Sequence, residues 1–414
     1  MAGEPEWGAQ AVARNAIAPA KMIEAWRKNV CPVGWVSMIG CKSYLSRLYA
    51  EEFLLKRVGS VRIKSMTLIG LLACLCVALP ATAQNTGSNV TGRKGVIAID
   101  KVGNKILFLD PVSLTEVVTL DPPEKGVHEL AISYDHKTAY VPLYGDGIYG
   151  ANKTPNNKVL IVDLVQHQIS GVIELGQYIA PHGLLATRDG KLWVTCDIPN
   201  KLLYIDPAAR KIEAVYDIPG KGAHFITLLP DESRLFASNK EAAAQVFDTV
   251  KRSFVAAIPA MKDAQGTGNG SGYEGLTPTP DGKHLLIVDN DKSELHVIDT
   301  KTSKEVDRIP LQGAALTSIK RTRLVKLMFS PDGRTLVATS YGAGQAWVID
   351  ARDYRKQKLL AVAKGPQGVA FDPDGKTVIV SSHDSGLLTR VDLATGKPLR
   401  SYDGGDGIEA LAFY

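Results

Sequence analysis

Hydrophobic positions along the chain fall in short runs of four to six residues, rich in Val, Ile, Leu and Thr and broken by Gly, Pro, Asp and Asn. No run keeps a helical period beyond a turn, so the pattern is one of short strands. One run recurs with a fixed ending: Leu107-Phe108-Leu109-Asp110, Leu160-Ile161-Val162-Asp163, Leu203-Tyr204-Ile205-Asp206, Gln245-Val246-Phe247-Asp248, His296-Val297-Ile298-Asp299, Trp347-Val348-Ile349-Asp350 and Thr389-Arg390-Val391-Asp392. The terminal aspartates are 53, 43, 42, 51, 51 and 42 residues apart, so a unit of about 43 residues occurs seven times, with longer loops in some copies.

Within a unit the order of elements is constant. A short apolar strand leads into a turn such as Pro280-Asp281-Gly282, Pro331-Asp332-Gly333 or Pro373-Asp374-Gly375. Asp-Gly supplies the positive φ that a tight hairpin needs. A β-branched strand follows (285–288, 335–339, 377–381), then a loop, the Asp-ending strand, a Thr-Gly-type turn and a fourth strand. Four antiparallel strands in 40–45 residues predict a propeller blade. The expected fold is all-β, a seven-bladed β-propeller of four-stranded antiparallel blades. The first unit, 95–121, lacks its innermost strand, and 408–414 has an innermost-strand pattern with no unit of its own. The C-terminal strand is therefore expected to complete the first blade and close the ring.

Units such as 365–393, with Pro-Asp-Gly-Lys, a Val-rich strand and an Asp-ending strand, resemble the YVTN-type β-propeller repeat family. That group is similar to the lactonase-type, haem d1 and quinoprotein amine dehydrogenase propellers. The resemblance spans about residues 95–414. It implies the fold, and it implies function weakly, because one scaffold hosts many activities.

Charge changes the picture of the N-terminus. Residues 1–65 hold ten Lys/Arg and five Asp/Glu, residues 66–83 hold none, and from Gln84 onward 38 basic groups balance 38 acidic ones. The body is neutral, without the basic stripe that nucleic acid requires, so no nucleic-acid partner is expected. Arg62 and Lys64 precede the apolar stretch 66–79, and Pro80 precedes Ala81-Thr82-Ala83. This is the order of a secretory signal peptide cleaved before Gln84. The stretch is shorter than a spanning helix, so no membrane span is expected after cleavage. The domains expected are a non-native or disordered extension over 1–58, a signal peptide over 59–83, a linker over 84–94 and the propeller over 95–414. An early-opened reading frame, with the true start near Val61 or Met66, accounts for the first segment; a functional N-terminal domain is the alternative. The protein is expected to be periplasmic or secreted, and a monomer. Four of the five cysteines precede the cleavage point, leaving Cys196 alone, so no internal disulfide is available to the mature chain.

Aligning the units puts His128, His182, His224, Glu274, Lys326, Gln367 and Glu409 at the start of successive innermost strands, where they line one mouth of the central channel. His128, His182, His224 and Glu274 form a candidate divalent-metal set, since imidazole with carboxylate is a usual ligand mix. The alternatives are a solvated polar lining and a grip on a polar substrate. Loops at the same mouth add Tyr144, Asp146, Tyr149 and Asn152 from a long connection over 144–157, together with Asp197, Asn239, Asn290 and His383. Glu409, Gln367 and Lys326 complete the ligand-binding candidates.

Other motifs fail. Gly145-Asp146-Gly147-Ile148-Tyr149-Gly150 fits a dinucleotide fingerprint, but the Asn and Pro residues that follow allow no helix. There is no C-x-x-C-H for covalent haem and no G-x-S-x-G elbow, and Asp289-Asn290-Asp291 lacks the Gly and Glu of a calcium loop. With no complete catalytic constellation, a scaffold binding a small molecule or a protein at the channel mouth is the leading reading. A metal-assisted hydrolase of lactonase type and a redox-partner subunit like the amine dehydrogenase propellers are the alternatives the resemblance implies. No cofactor beyond a divalent ion is indicated.

The signal reading makes a direct prediction. Protein recovered from an exporting bacterium should begin at or near Gln84 by N-terminal sequencing; a mature chain still starting at Met1 would overturn it.

Overall fold

In the computed structural model, which describes residues 94–147, 152–239, 242–259, 275–289, 293–313 and 324–414, the seven units fold into seven four-stranded antiparallel sheets. The first blade contains β1 (Val96–Asp100), β2 (Lys105–Leu109) and β3 (Glu116–Leu120). The second contains β4 (Ala131–Ile132), β5 (Thr138–Asp146), β6 (Thr154–Asp163) and β7 (Gln168–Glu174). The third contains β8 (Ile179–Ala186), β9 (Leu192–Ile198), β10 (Lys201–Asp206) and β11 (Lys211–Asp217). The fourth contains β12 (Ile226–Leu228), β13 (Arg234–Ala237), β14 (Ala242–Asp248) and β15 (Ser253–Pro259), and the fifth β16 (Leu276–Pro278), β17 (His284–Asp289), β18 (Glu294–Asp299) and β19 (Lys304–Pro310). The sixth contains β20 (Leu324–Phe329), β21 (Thr335–Ser340), β22 (Gln345–Asp350) and β23 (Asp353–Leu360). The seventh contains β24 (Pro366–Phe371), β25 (Thr377–Ser382), β26 (Leu387–Asp392) and β27 (Pro398–Asp403). The last strand, β28 (Ile408–Phe413), pairs with β1 and is the innermost strand of the first blade. The protein is a seven-bladed β-propeller closed by its C-terminal strand. The expected extension, the signal segment and all but the last residue of the linker lie outside the described residues.

The aspartate that ends each third strand is explained by the turn that follows it. Its carboxylate accepts backbone N–H groups two or three residues on: Asp163 from Val165 and Gln166 at 2.8 Å each, Asp299 from Thr302 at 2.7 Å, Asp392 from Thr395 at 2.7 Å. Aspartate thereby closes the turn into the outermost strand. The Asp-Gly turns behave as expected, with Gly282, Gly333 and Gly375 at φ of 70°, 68° and 67°. Thr279 and the Lys283 backbone hydrogen-bond to the Asp281 carboxylate; the threonine bond is the larger influence, and together they hold that acid at about 2.

The core lies between blades. Strand β1 is buried on both faces, and its period of two divides its side chains between two neighbours. Ile97 and Ile99 pack with Val141, Leu160 and Val162 of the second blade, whereas Val96 and Ala98 pack with Ala370, Ile379 and Leu388 of the seventh. Each fully buried aliphatic side chain contributes roughly 1.5–3 kcal/mol. The C-terminal residue joins the same core: Tyr414 packs edge-on to Phe108, and its hydroxyl lies 2.9 Å from His167 Nε2. Burial pushes its phenol up to about 12.

The seam holds more than a strand ladder. Asp100, buried at the end of β1, accepts the backbone N–H groups of Gly407 (2.9 Å), Asp406 (3.1 Å) and Gly103 (2.9 Å). One carboxylate thus fixes both the hairpin after β1 and the approach to β28. On the other side, Arg390 of the seventh blade donates to the Val112 carbonyl at 2.7 Å and to that of Pro111, and its guanidinium pairs with Asp372 at 3.1 Å.

The second blade differs from the loop expected over 144–157. Strands β5 and β6 run on past the barrel edge, with Gly145 opposite Pro155 and Asp146 opposite Thr154 beyond a bulge after Leu143. Two glycines make the extension fit. A Cβ on Gly145 would stand 2.3 Å from the Thr154 carbonyl oxygen, and one on Gly126 the same distance from the Gly145 nitrogen.

A deletion and a substitution test the closure. Deleting residues 408–414 should leave the protein insoluble, because losing a strand costs several kcal/mol against a total of about 5–15 kcal/mol. Asp100→Ala strands three backbone donors and should destabilise by about 1–3 kcal/mol in urea unfolding. A soluble truncation with unchanged melting temperature would show that β28 does not close the ring.

Candidate functional site

The channel-mouth residues are placed by contacts between neighbouring blades. A hydroxyl on the second strand of one blade donates to the backbone carbonyl of the channel residue on the next. Thr195 bonds the His224 carbonyl (3.0 Å), Thr339 that of Gln367 (2.6 Å) and Ser381 that of Glu409 (2.9 Å). Two glycines allow this approach: a Cβ on Gly183 would be 2.5 Å from the His224 oxygen, and one on Gly368 would be 2.2 Å from the Glu409 oxygen. Close blade contact at the axis is therefore written into small and hydroxylated residues flanking the polar ones.

Two groups result. The first centres on Glu409, which is 7% exposed. Its carboxylate lies 2.6 Å from His128 Nδ1 and 3.4 Å from each of Lys101 Nζ, His383 Nε2 and Gln367 Nε2. Burial works to raise this acid, but His128, Lys101 and His383 outweigh it and hold the carboxyl at about 2. Three blades, the first, second and seventh, meet on one carboxylate.

The second group is aromatic and centres on His182. Its ring lies 4.5 Å from His128 and 5.3 Å from Tyr144, both edge to face, and 3.8 Å from His224 at an interplanar angle of 37°. Phe225 closes the other side at 5.3 Å. Burial first, then His224, His128, Lys101 and Lys326, push the His182 imidazole well below its usual range, so it is neutral. His182 is 2% exposed, and both its ring nitrogens are buried without a hydrogen-bond partner among the described residues. Tyr144 beside it donates its hydroxyl to Asp197 at 2.6 Å, and Asn152 donates its amide to the Tyr144 carbonyl at 2.8 Å.

Lys326 enters from the sixth blade. Its ammonium lies 3.0 Å from Glu129 of the second blade and 4.4 Å from the Phe225 ring centre of the fourth. A single side chain therefore ties three non-adjacent blades across the axis.

The structure thus brings together His128, His182, His224, Tyr144, Asn152, Asp197, Lys326, Gln367, His383 and Glu409. Asp146 stands exposed at the end of β5, away from the group. Asn239 holds a loop, its amide donating to the Pro219 carbonyl (2.9 Å) and its oxygen accepting from Ala242 N–H (2.7 Å). Tyr149, Asn290 and Glu274 lie outside the described residues. Among the described residues no group of three or more His, Cys, Asp or Glu could hold a metal ion. His128 has turned Nδ1 to Glu409, and His182 and His224 lie ring against ring. Lys101, Glu129 and Phe225 were not expected. The last two immediately follow His128 and His224 in the sequence, which was the available signal; Lys101 sits in a hairpin that nothing in the repeat marks.

The seven four-stranded blades define the class of protein, a seven-bladed β-propeller. No family model and no curated protein matches the chain. Solved structures do, all at low identity. The periplasmic gluconolactonase of Pseudomonas aeruginosa superposes with a TM-score of 0.61 at 18% identity, over 78% of this chain and 99% of its own. The Cps50 (Swd1) β-propeller domain of Myceliophteria thermophila gives 0.55 at 15%, over 70% and 90%, and Kuenenia stuttgartiensis hydrazine synthase 0.52 at 17%, over 66% and 78%. These similarities show the fold alone.

The Glu409 network generates a pH prediction. A carboxyl held at about 2, against an ordinary 4.5, contributes stability that is present above pH 4.5 and lost as pH falls from there toward 2. The loss should be on the order of 3 kcal/mol. Glu409→Gln should flatten the urea midpoint across that window; an equally steep fall in the variant would place the titration elsewhere.

Proposed function

We propose that this chain is an exported propeller, of the YVTN-type repeat class, that binds a small polar molecule at the channel mouth, with His182 as the central contact. The observation that carries the reading is the His182 ring. A buried polar group without a hydrogen bond costs about 1–3 kcal/mol, so each one in a native protein calls for a reason, a bound partner among them. A neutral imidazole offers one donor and one acceptor. Its complement is a group that both donates and accepts, such as a hydroxyl. The ionised Glu409 nearby adds an acceptor, and the rings of Tyr144, His128, His224 and Phe225 add flat apolar faces against which the C–H face of a sugar-like ring would pack. The signal-like segment before Gln84 supports export.

A second reading is hydrolysis of a cyclic ester. A neutral imidazole is the form a general base requires, the chain resembles lactonase-type propellers, and one solved propeller of the same fold is a gluconolactonase. A divalent ion, if one takes part, would need ligands beyond the three histidines.

The test is a thermal melt of the protein against a panel of sugars, polyols, aldonic acids and their lactones, with and without zinc, manganese or calcium. A true ligand at a hundredfold excess over its dissociation constant should add about 2.7 kcal/mol of stability. His182→Phe should abolish that gain while leaving the ligand-free protein as stable as before or more so, because an apolar ring replaces an unpaired polar one. Equal ligand response in His182→Phe would overturn the assignment, and so would collapse of the ligand-free variant, since the ring would then be structural. Assaying the lactones for ring opening separates binding from catalysis.

A further inference from the structure

Outermost strands are where a propeller meets solvent, and six of the seven share a mixed or neutral character: β3 and β15 contain no Lys or Arg, β7 none, β11 and β27 one each, and β19 two against two acids. Strand β23 departs from them. With the preceding residue it reads Arg352-Asp353-Tyr354-Arg355-Lys356-Gln357-Lys358. A charged edge strand is the ordinary device against edge-to-edge aggregation, and none of the other six outermost strands has a net positive charge. Here the excess sits in a concave place. An open cleft of about 660 Å³ is lined by Arg334, Arg352, Arg355, Lys356 and Lys358, with Asp350 as its single carboxylate.

Local pairing compensates only part of this charge. Arg355 engages Asp307 of the fifth blade at 3.0 Å, and Lys358 donates to the Ala394 carbonyl of the seventh. Lys356 stands 3.6 Å from Asp353 and Arg334 3.9 Å from Asp332, in each case between exposed side chains, where an ion pair contributes little. The Arg352 guanidinium has no partner among the described residues, and the Asp350 carboxylate is engaged by the Arg352 backbone N–H at 2.8 Å.

We propose that this cleft on the sixth blade is a docking site for an acidic segment of a partner protein. The shape selects among anions. Its cations are confined to one blade, a narrow footprint for a flat lipid surface. Its charge does not extend into the stripe that duplex nucleic acid needs, since the chain from Gln84 onward outside the cleft has 33 basic against 37 acidic residues. A short extended run of Glu and Asp matches both its size and its row of cations, and electrostatic complementarity of this kind sets association rate and specificity. The site is separate from the channel mouth, so it stands or falls independently of the small-molecule reading.

The probe is a fluorescein-labelled octaglutamate peptide, followed by anisotropy at low salt with the full chain. The wild type should bind it and lose at least tenfold in affinity on raising the salt. The double variant Arg352→Gln/Lys356→Gln should bind at least tenfold more weakly with an unchanged melting temperature, and Arg352→Glu/Lys356→Glu more weakly still. His182→Phe should bind as the wild type does. Absence of binding by the wild type, unaltered binding by the folded double variants, or tighter binding of a labelled DNA duplex or of anionic vesicles than of the peptide would each overturn the proposal.

Discussion

A ring of blades is stable only if its first and last members are joined, and here the joint is made by one strand arriving from the far end of the chain. The pairing of β28 with β1 removes two sheet edges at once and completes an innermost strand that the first unit lacks. Asp100 makes this pairing specific, because its carboxylate collects the amides that lead into β28. Arg390 reinforces the neighbouring seam from the seventh blade. The cores on either side of β1 then follow, since alternate residues of a strand buried on both faces must find partners in both neighbouring blades.

The candidate site is a by-product of that closure. Glu409 belongs to the closing strand, and its ionised carboxylate gathers Lys101, His128 and His383 from three different blades. Structural seam and polar cluster are thus one object. Next to it, His182 shows the opposite condition: a neutral ring packed among other rings with its nitrogens unmatched. Glu409 is thus engaged from four sides, while both nitrogens of the neighbouring His182 are without a hydrogen bond among the described residues.

Much of this was legible before any coordinates. The Asp-ending strands state their own reason, since each aspartate closes the turn after it, and the Asp-Gly pairs state theirs through positive φ. Aligning the units also picked out residues that lie in contact, among them His128, His182, His224, Gln367 and Glu409. The alignment was less informative about what those residues do. It left a polar lining, a grip on a polar substrate and a metal set completed by Glu274 as alternatives; the described residues show His182 and His224 ring against ring and His128 turned to Glu409, and Glu274 lies outside them. Side-chain direction depends on bulges such as the one between Pro181 and Leu184, which the repeat does not announce.

The sequence by itself determined the number of blades, their strand order and the turn chemistry, because each is set by local period and by residues acting within a few positions of themselves; closure by the C-terminus was legible because one unit lacks a strand and the chain end has one to spare. Only the tertiary structure decided which charges meet. Lys101 and Glu409 are 308 residues apart, Lys326 and Glu129 are 197 apart, and nothing in the spacing of either pair marks it. Those contacts exist because the ring brings distant strands to one axis, where the distance between side chains is governed by the blade geometry and the separation along the chain no longer matters.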